Sequence, residues 1–286
     1  MISSLRVACV SVASQPERTP ENVERIAGCV PDGADLTLFP ELSITGFIPN
    51  HPESNHERWL REALAFARSI AQPLDGQAIR SLTKVARDRQ TYIAAGLLED
   101  AGNTLYNSHV LIGPDGVAGV WRKMHIPMFE MPFYNGGPAP QVADTPLGRI
   151  GINICFDALI PESTRLLAVQ NAEIVLFPFA ADPAPGTPEA WADWARVALQ
   201  ARCQENGVFG VAVNYEGAVE ACAVSQRFPG GSLCIGPRGD VLGEHQSVYE
   251  IRREDLQAAR GEPEYLYRFR RPELYGPLTT PSRETD

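Results

Sequence analysis

GRIGINICFDALIPESTRLLAVQNAEIVLFPF, residues 148–179, changes its hydrophobic period twice. In GRIGINI (148–154), Ile150, Ile152 and Ile154 alternate with other residues, the pattern of a strand. PESTRLLAVQNA (161–172) opens with Pro, which suits the first turn of a helix. EIVLFPF (173–179) is again a short apolar run, as in a buried strand. At the end of the first strand stands a thiol, Cys155, with an acid two residues on at Asp157. Such a cysteine can be a small core residue or a nucleophile, and only the rest of the chain decides between them.

The same alternation runs through the chain. LRVACVSVA (5–13) reads as a strand, and TPENVERIAGCV (19–30) as a helix opening on a cap-like Thr and a Pro. ADLTLFP (34–40) is a short buried strand, and helices follow at about 56–71 and 76–90. TYIAAGLLE (91–99), LYNSHVLIG (105–113) and VAGVWRK (117–123) read as neighbouring strands, the last two joined by a PDG turn. PEAWADWARVALQARCQENG (188–207) is a long helix ending at Asn-Gly, with further strands near 208–214, 231–236, 241–244 and 247–251. Apolar strands alternating with helices, plus turn-linked strand pairs, predict an α/β layered domain with mixed sheets. Residues 123–140 lack periodicity, and long irregular loops in compact domains are often functional.

Composition narrows the field. The chain has 286 residues, 44% hydrophobic and 21% charged, with 24 Gly and 24 Pro spread along it and no repeat or linker, so one domain is expected. A net charge of −10 argues against nucleic acid and anionic membranes as partners. No apolar run is long enough to span a bilayer, and the N-terminus reads as a strand rather than a signal peptide. The six cysteines form no C-x-x-C pair, which favours a reducing cytoplasm. Neither they nor the five histidines, His125 included, show zinc-ligand spacing, so no metal is expected. Only two of the 25 basic residues are lysines, Lys84 and Lys123. A retained Lys marks a place where the broad Arg fork would not serve. Lys84 lies on a polar helix face, whereas Lys123 ends a strand.

Three polar residues stand where strands end: Glu41 after LTLFP, Lys123 after VAGVWR and Cys155 after GRIGINI. Sites in layered α/β folds collect beyond strand ends. Each of the three has an ordinary reading as a capping acid, a solvated ammonium or a core thiol. Together they form a set for covalent catalysis, in which a carboxylate deprotonates the thiol and an ammonium stabilises the developing oxyanion.

FPELSITGF (39–47), WRKMHIP (121–127) and GINICFDALIPES (151–163) resemble the three signature blocks of the nitrilase, or carbon–nitrogen hydrolase, superfamily, in that family's order. LYNS (105–108), TPLGRIG (145–151), EIVLFP (173–178), ARCQENGVFGVAVN (201–214), GGSLCIGPRGDVL (230–242) and RRPELYGPL (270–278) extend the resemblance over most of the chain. It implies a four-layer α-β-β-α sandwich spanning 1–286, with an extended tail from about 261. It maps the family's Glu–Lys–Cys triad onto Glu41, Lys123 and Cys155, and a second glutamate onto Glu130. It also implies a homodimer or larger homo-oligomer and no cofactor.

Phe156 and Asp157 follow the cysteine where nitrilases of the family carry Trp-Glu, and this looks more like the amidase branches. N-carbamoyl amino acid hydrolases place arginines where this chain has Ala158 and Leu159. The expected activity is therefore hydrolysis of a small amide to carboxylate and ammonia through a cysteine thioester. N-carbamoyl or nitrile hydrolysis by the same triad is the alternative, and an inactive scaffold the non-enzymatic one. Phe129, Phe133, Tyr134, Phe156 and Phe179 are the candidates to line an apolar substrate pocket.

Overall fold

The computed structural model describes residues 3–50 and 56–280. Its first half runs β1 (Ser4–Cys9), α1 (Thr19–Cys29), β2 (Leu36–Leu38), α2 (His56–Ile70), α3 (Gln77–Arg89), β3 (Tyr92–Asp100), β4 (Leu105–Gly113) and β5 (Gly116–Arg122). The second half runs β6 (Ala143–Thr145), β7 (Gly148–Ile152), α4 (Pro161–Ala168), β8 (Ile174–Phe179), α5 (Pro188–Asn206) and β9 (Phe209–Asn214). A hairpin, β10 (Glu216–Ala221) and β11 (Val224–Pro229), then precedes β12 (Ser232–Ile235), β13 (Val241–Glu244), β14 (Val248–Arg252) and α6 (Arg253–Gly261).

Local chemistry sets the helix ends. Thr187 caps α5 by accepting the Ala190 N–H at 3.2 Å, and Pro188 occupies its first turn. Gly207, at φ +57, ends α5 in a left-handed conformation open to glycine. Thr19 is itself the first residue of α1; Arg18 holds the cap position and makes no capping bond, so the expected Thr cap is absent.

Two six-stranded sheets form, ordered β14-β1-β2-β3-β4-β5 and β13-β12-β9-β8-β7-β6. Each has the same pairing pattern. Three parallel neighbours (β1-β2-β3 in one sheet, β7-β8-β9 in the other) are flanked by antiparallel strands. The topology thus repeats although the sequence does not, and β14 returns to the first sheet to pair with β1.

Strand alternation divides the core into layers. Val7, Leu36, Leu38, Ile150, Ile152, Leu176 and Val211 meet between the sheets. On the outer face of the first sheet, Ile26 of α1 and Ile79 and Leu82 of α3 pack on Ile93, Val110 and Ile112. On the outer face of the second, Leu167 of α4 and Trp191 and Leu199 of α5 pack on Val175, Phe177 and Ala212. Each Val, Leu, Ile or Phe among them contributes about 1.5–3 kcal/mol by leaving water. The architecture is the expected four-layer α-β-β-α sandwich.

Several expectations are corrected. The helix expected over 161–172 stops at Ala168, and Asn171 turns left-handed at φ +63. The short strand β6 and the hairpin β10–β11 were not expected. Phe179 is fully buried, edge-on to Trp191 and Trp194 at 5.8 and 5.9 Å in the helix–sheet core, which removes it from the list of pocket residues. Beyond Gly261 the chain makes three short 3-10 turns, at Leu266–Phe269, Pro272–Leu274 and Gly276–Thr279.

Candidate active site

Glu41 lies in the turn after β2, and that turn is docked on β3. Ile44 donates its N–H to the Gly96 carbonyl at 2.7 Å, while Ser43 and Thr45 hydroxyls accept the Gly96 and Leu98 amides at 3.1 and 2.9 Å. Leu42 has a left-handed φ of +51. The turn presses against Gly96 so closely that a Cβ there would lie 2.4 Å from the Leu42 nitrogen.

Lys123 follows β5, and its amide donates to the Asn107 carbonyl of β4 at 2.8 Å. Arg122, one residue earlier, is locked by a two-pronged pair with buried Glu99 and lies 4.1 Å over the Tyr106 ring. Glu130 sits in a turn of the irregular loop, its amide donating to Pro127 at 2.8 Å. Cys155 leaves β7 at φ +47 and opens a short 3-10 helix over Cys155–Leu159. Such a backbone is costly for a residue with a side chain, and outliers of this kind cluster at functional sites.

The structure brings the acids and the ammonium into contact. Lys123 Nζ donates to Glu41 Oε1 at 2.9 Å and to Glu130 Oε2 at 2.7 Å. Lys123 and Glu41 are 0% exposed and Glu130 5%, so these ion pairs are shielded from water. Asn107 Nδ2 also donates to Glu41 Oε1, at 2.7 Å. Glu41 Oε2, also buried, has no hydrogen-bond partner among the described residues. Cys155, partly exposed, is near enough to feel the charges of Glu41, Lys123 and Glu130.

Electrostatics follow from burial and proximity. Burial pushes the Cys155 thiol well above its usual range, Glu41 pushes it further and Lys123 pulls back. A thiol so placed gives up its proton less readily than a free one. Burial works against the Lys123 ammonium, but Glu130 and Glu41 outweigh it and hold its pKa well above normal. Burial raises Glu130 to about 7, with Lys123 opposing and Glu41 reinforcing.

Asp157 joins two parts of the site. Its buried carboxylate accepts the Ile154 amide at 3.4 Å, just before Cys155. It also accepts the Met124 and His125 amides at 3.2 and 2.9 Å, just after Lys123, and meets the His125 ring at 2.9 Å. Burial of the ring only partly offsets that carboxylate bond, and His125 is raised above its ordinary value.

Of the pocket candidates, Tyr134 is buried close enough to the array for burial and Glu130 to push its hydroxyl well up. Phe133 is buried edge-on to Trp59 of α2 at 5.5 Å, Phe156 is half-buried, and Phe129 is exposed. Asn107, inside LYNS, and Asp157, the acid two residues after the thiol, were given no role among the expected site residues. Among the described residues no group of three or more His, Cys, Asp or Glu is arranged to hold a metal, and no helix is long and apolar enough to cross a membrane.

A thiol beside a shielded acid–ammonium–acid array, at strand ends of a two-sheet sandwich, has the components that covalent hydrolysis requires. The family profile described as carbon-nitrogen hydrolase matches residues 6–260. An (R)-stereoselective amidase from Pseudomonas sp is 31% identical over 92% of this chain and 90% of its own length. A nitrilase from Pyrococcus abyssi is 32% identical over 95% and 99%. The crystal structure of a carbon-nitrogen hydrolase from Helicobacter pylori G27 superposes with a TM-score of 0.77, covering 98% of this chain and 99% of that one. At 21% identity that likeness speaks to the fold. The chain belongs to the carbon–nitrogen hydrolase family, on its amidase-like side, and is a hydrolase of carbon–nitrogen bonds other than peptide bonds.

Proposed function

We propose that this protein hydrolyses a small non-peptide amide to a carboxylate and ammonia, with Cys155 as nucleophile, Glu41 as general base and acid, and Lys123 as the oxyanion's cation. Glu41 Oε2, the oxygen not engaged by Lys123 and Asn107, takes the thiol proton as sulfur bonds to the amide carbon. The carbonyl π pair moves to oxygen, where the Lys123 ammonium offsets the charge in a water-poor site. As the C–N bond breaks, Glu41 returns the proton to nitrogen and ammonia leaves a thioester. Glu41 then deprotonates water. Hydroxide adds to the thioester, the C–S bond breaks, and the thiolate recovers its proton. Glu130 holds the Lys123 ammonium in place.

The observation that carries the reading is the fully buried Lys123 bridging Glu41 and Glu130 beside Cys155. A nitrile substrate is the second reading, motivated by the 32% identity to a nitrilase. Phe156 and Asp157 after the thiol, in place of Trp-Glu, favour the amide. A panel of amides, N-carbamoyl compounds and nitriles, scored by ammonia release against Cys155→Ala, tests both. Release from nitriles alone would overturn the amide assignment, and turnover by Cys155→Ala would overturn the mechanism.

The setting proposed is a reducing cytoplasm, in keeping with six cysteines that are all free. The assembly proposed is a homodimer. Leu166 of α4, Val169 just after that helix, and Trp194 and Val197 of α5 are exposed apolar residues on the outer helical layer. The tail lies beside them, Arg165 sitting 5.5 Å from the Tyr267 ring, and adds exposed Leu266 and Phe269.

A further inference from the structure

The nucleophile and the Lys123–Glu130 loop come from opposite sheets, so some device must hold them in register. We propose that Asp157, with the His125 ring as its partner, is a positioning clamp that fixes the nucleophile turn to the lysine loop. This inference rests on the reading of Cys155 as the nucleophile.

The contacts are disposed on both sides of the gap between the sheets. One carboxylate oxygen, Oδ2, accepts the amide of Ile154, the residue before the sulfur, and the amide of Met124, the residue after the ammonium. The other, Oδ1, accepts the amide and meets the ring of His125. Ser163, at the start of α4, lies 3.2 Å from the same ring nitrogen. Asp157 is 1% exposed, so these donors have the carboxylate rather than water as their partner. An uncharged amide in its place would turn an NH2 toward two N–H donors and break the bridge at one oxygen. Cys155 stands in a left-handed conformation that the chain does not adopt unaided, and the Ile154 bond restrains the residue leading into it. The bonds of Asp157 go to the residues flanking the sulfur and the ammonium, which makes the role proposed for it one of placement.

The experiment compares wild type, Asp157→Asn, Asp157→Glu and His125→Ala by thermal melting, by kcat and KM on the best amide of the panel, and by the rate of Cys155 alkylation with iodoacetamide across pH. Asp157→Asn is expected to melt as a folded protein. Its kcat should fall about 100-fold at nearly constant KM, the scale of a misplaced reacting group, and Cys155 should alkylate more slowly. Asp157→Glu, which keeps the charge, should recover part of both losses. Should Asp157→Asn fail to fold, His125→Ala carries the test, with an expected loss of about tenfold in kcat from one charge-assisted bond. Wild-type kcat and alkylation in either folded variant would overturn the clamp while leaving the nucleophile reading intact. A Cys155 that is inert to iodoacetamide in wild type would overturn both.

Discussion

At the scale of single residues, the site turns on one ammonium between two carboxylates. Arg in place of Lys123 would need to fit a planar fork into a space that is fully buried and already contacts Glu41 and Glu130. Lys123→Arg is expected to fold and to lose on the order of 10²–10³ in kcat, the scale of a lost oxyanion partner; steady-state kinetics with circular dichroism as the fold control checks this. Glu130 gives a prediction about stability. Its carboxyl is raised from 4.5 to about 7, so between those pH values the folded protein binds a proton that the unfolded chain has released. The associated stability is full below about 4.5 and is lost as pH rises through 7. Denaturant titrations at pH 5 and pH 8 should show wild type losing on the order of 3 kcal/mol more than Glu130→Gln. Equal losses would mean that Glu130 is ionised throughout. Lys123 was legible in the sequence because lysine is so rare in this chain. Asn107 and Asp157 were not, because their roles consist of bonds to atoms far away in sequence, and an Asn or Asp in a motif says nothing about which distant donors it will meet.

At the scale of elements, the Glu41 turn depends on a strand that supplies no site residue. Gly96 of β3 pairs with His109 of β4, and its missing side chain makes room for the Glu41–Leu42 peptide and for the imidazole. Gly96→Ala would drive a methyl into the Leu42 backbone. A loss of about 2 kcal/mol or more is expected, read as a lower melting temperature, together with a fall in activity from the displaced carboxylate. His109 is itself unusual: it is fully buried, and burial lowers its pKa to about 3, with a hydrogen bond to the Ala94 backbone opposing. Strand and helix patterns announced most elements because each buries one or both faces against a neighbour. The hairpin β10–β11 gave no such signal: EGAVEA and VSQRFP alternate mostly exposed or half-buried residues, and only Val219, Gln226 and Phe228 are buried. Phe179 misled for the converse reason. A strand buried on both faces offers no period from which to tell the pocket side from the helix side.

At the scale of the whole molecule, the acid, the ammonium and the second glutamate all precede β6, whereas the thiol follows β7. The proposed site is therefore completed only when the two sheets dock. The outer layer of α4 and α5 leads to a prediction about assembly. Val197, 78% exposed near the middle of α5, is a poor residue to leave in water. Sedimentation should find wild type dimeric and Val197→Glu shifted toward monomer, and a monomeric wild type would refute the proposed face. The scarcity of lysine has a practical consequence. One lysine is sealed inside the protein, and the other, Lys84, projects from α3 with 79% of its side chain in solvent. An amine-reactive resin or dye would thus couple through that single side chain, apart from the chain's own terminal amine, so the protein could be immobilised in nearly one orientation, by its outer helix, without touching the ammonium on which turnover is proposed to depend.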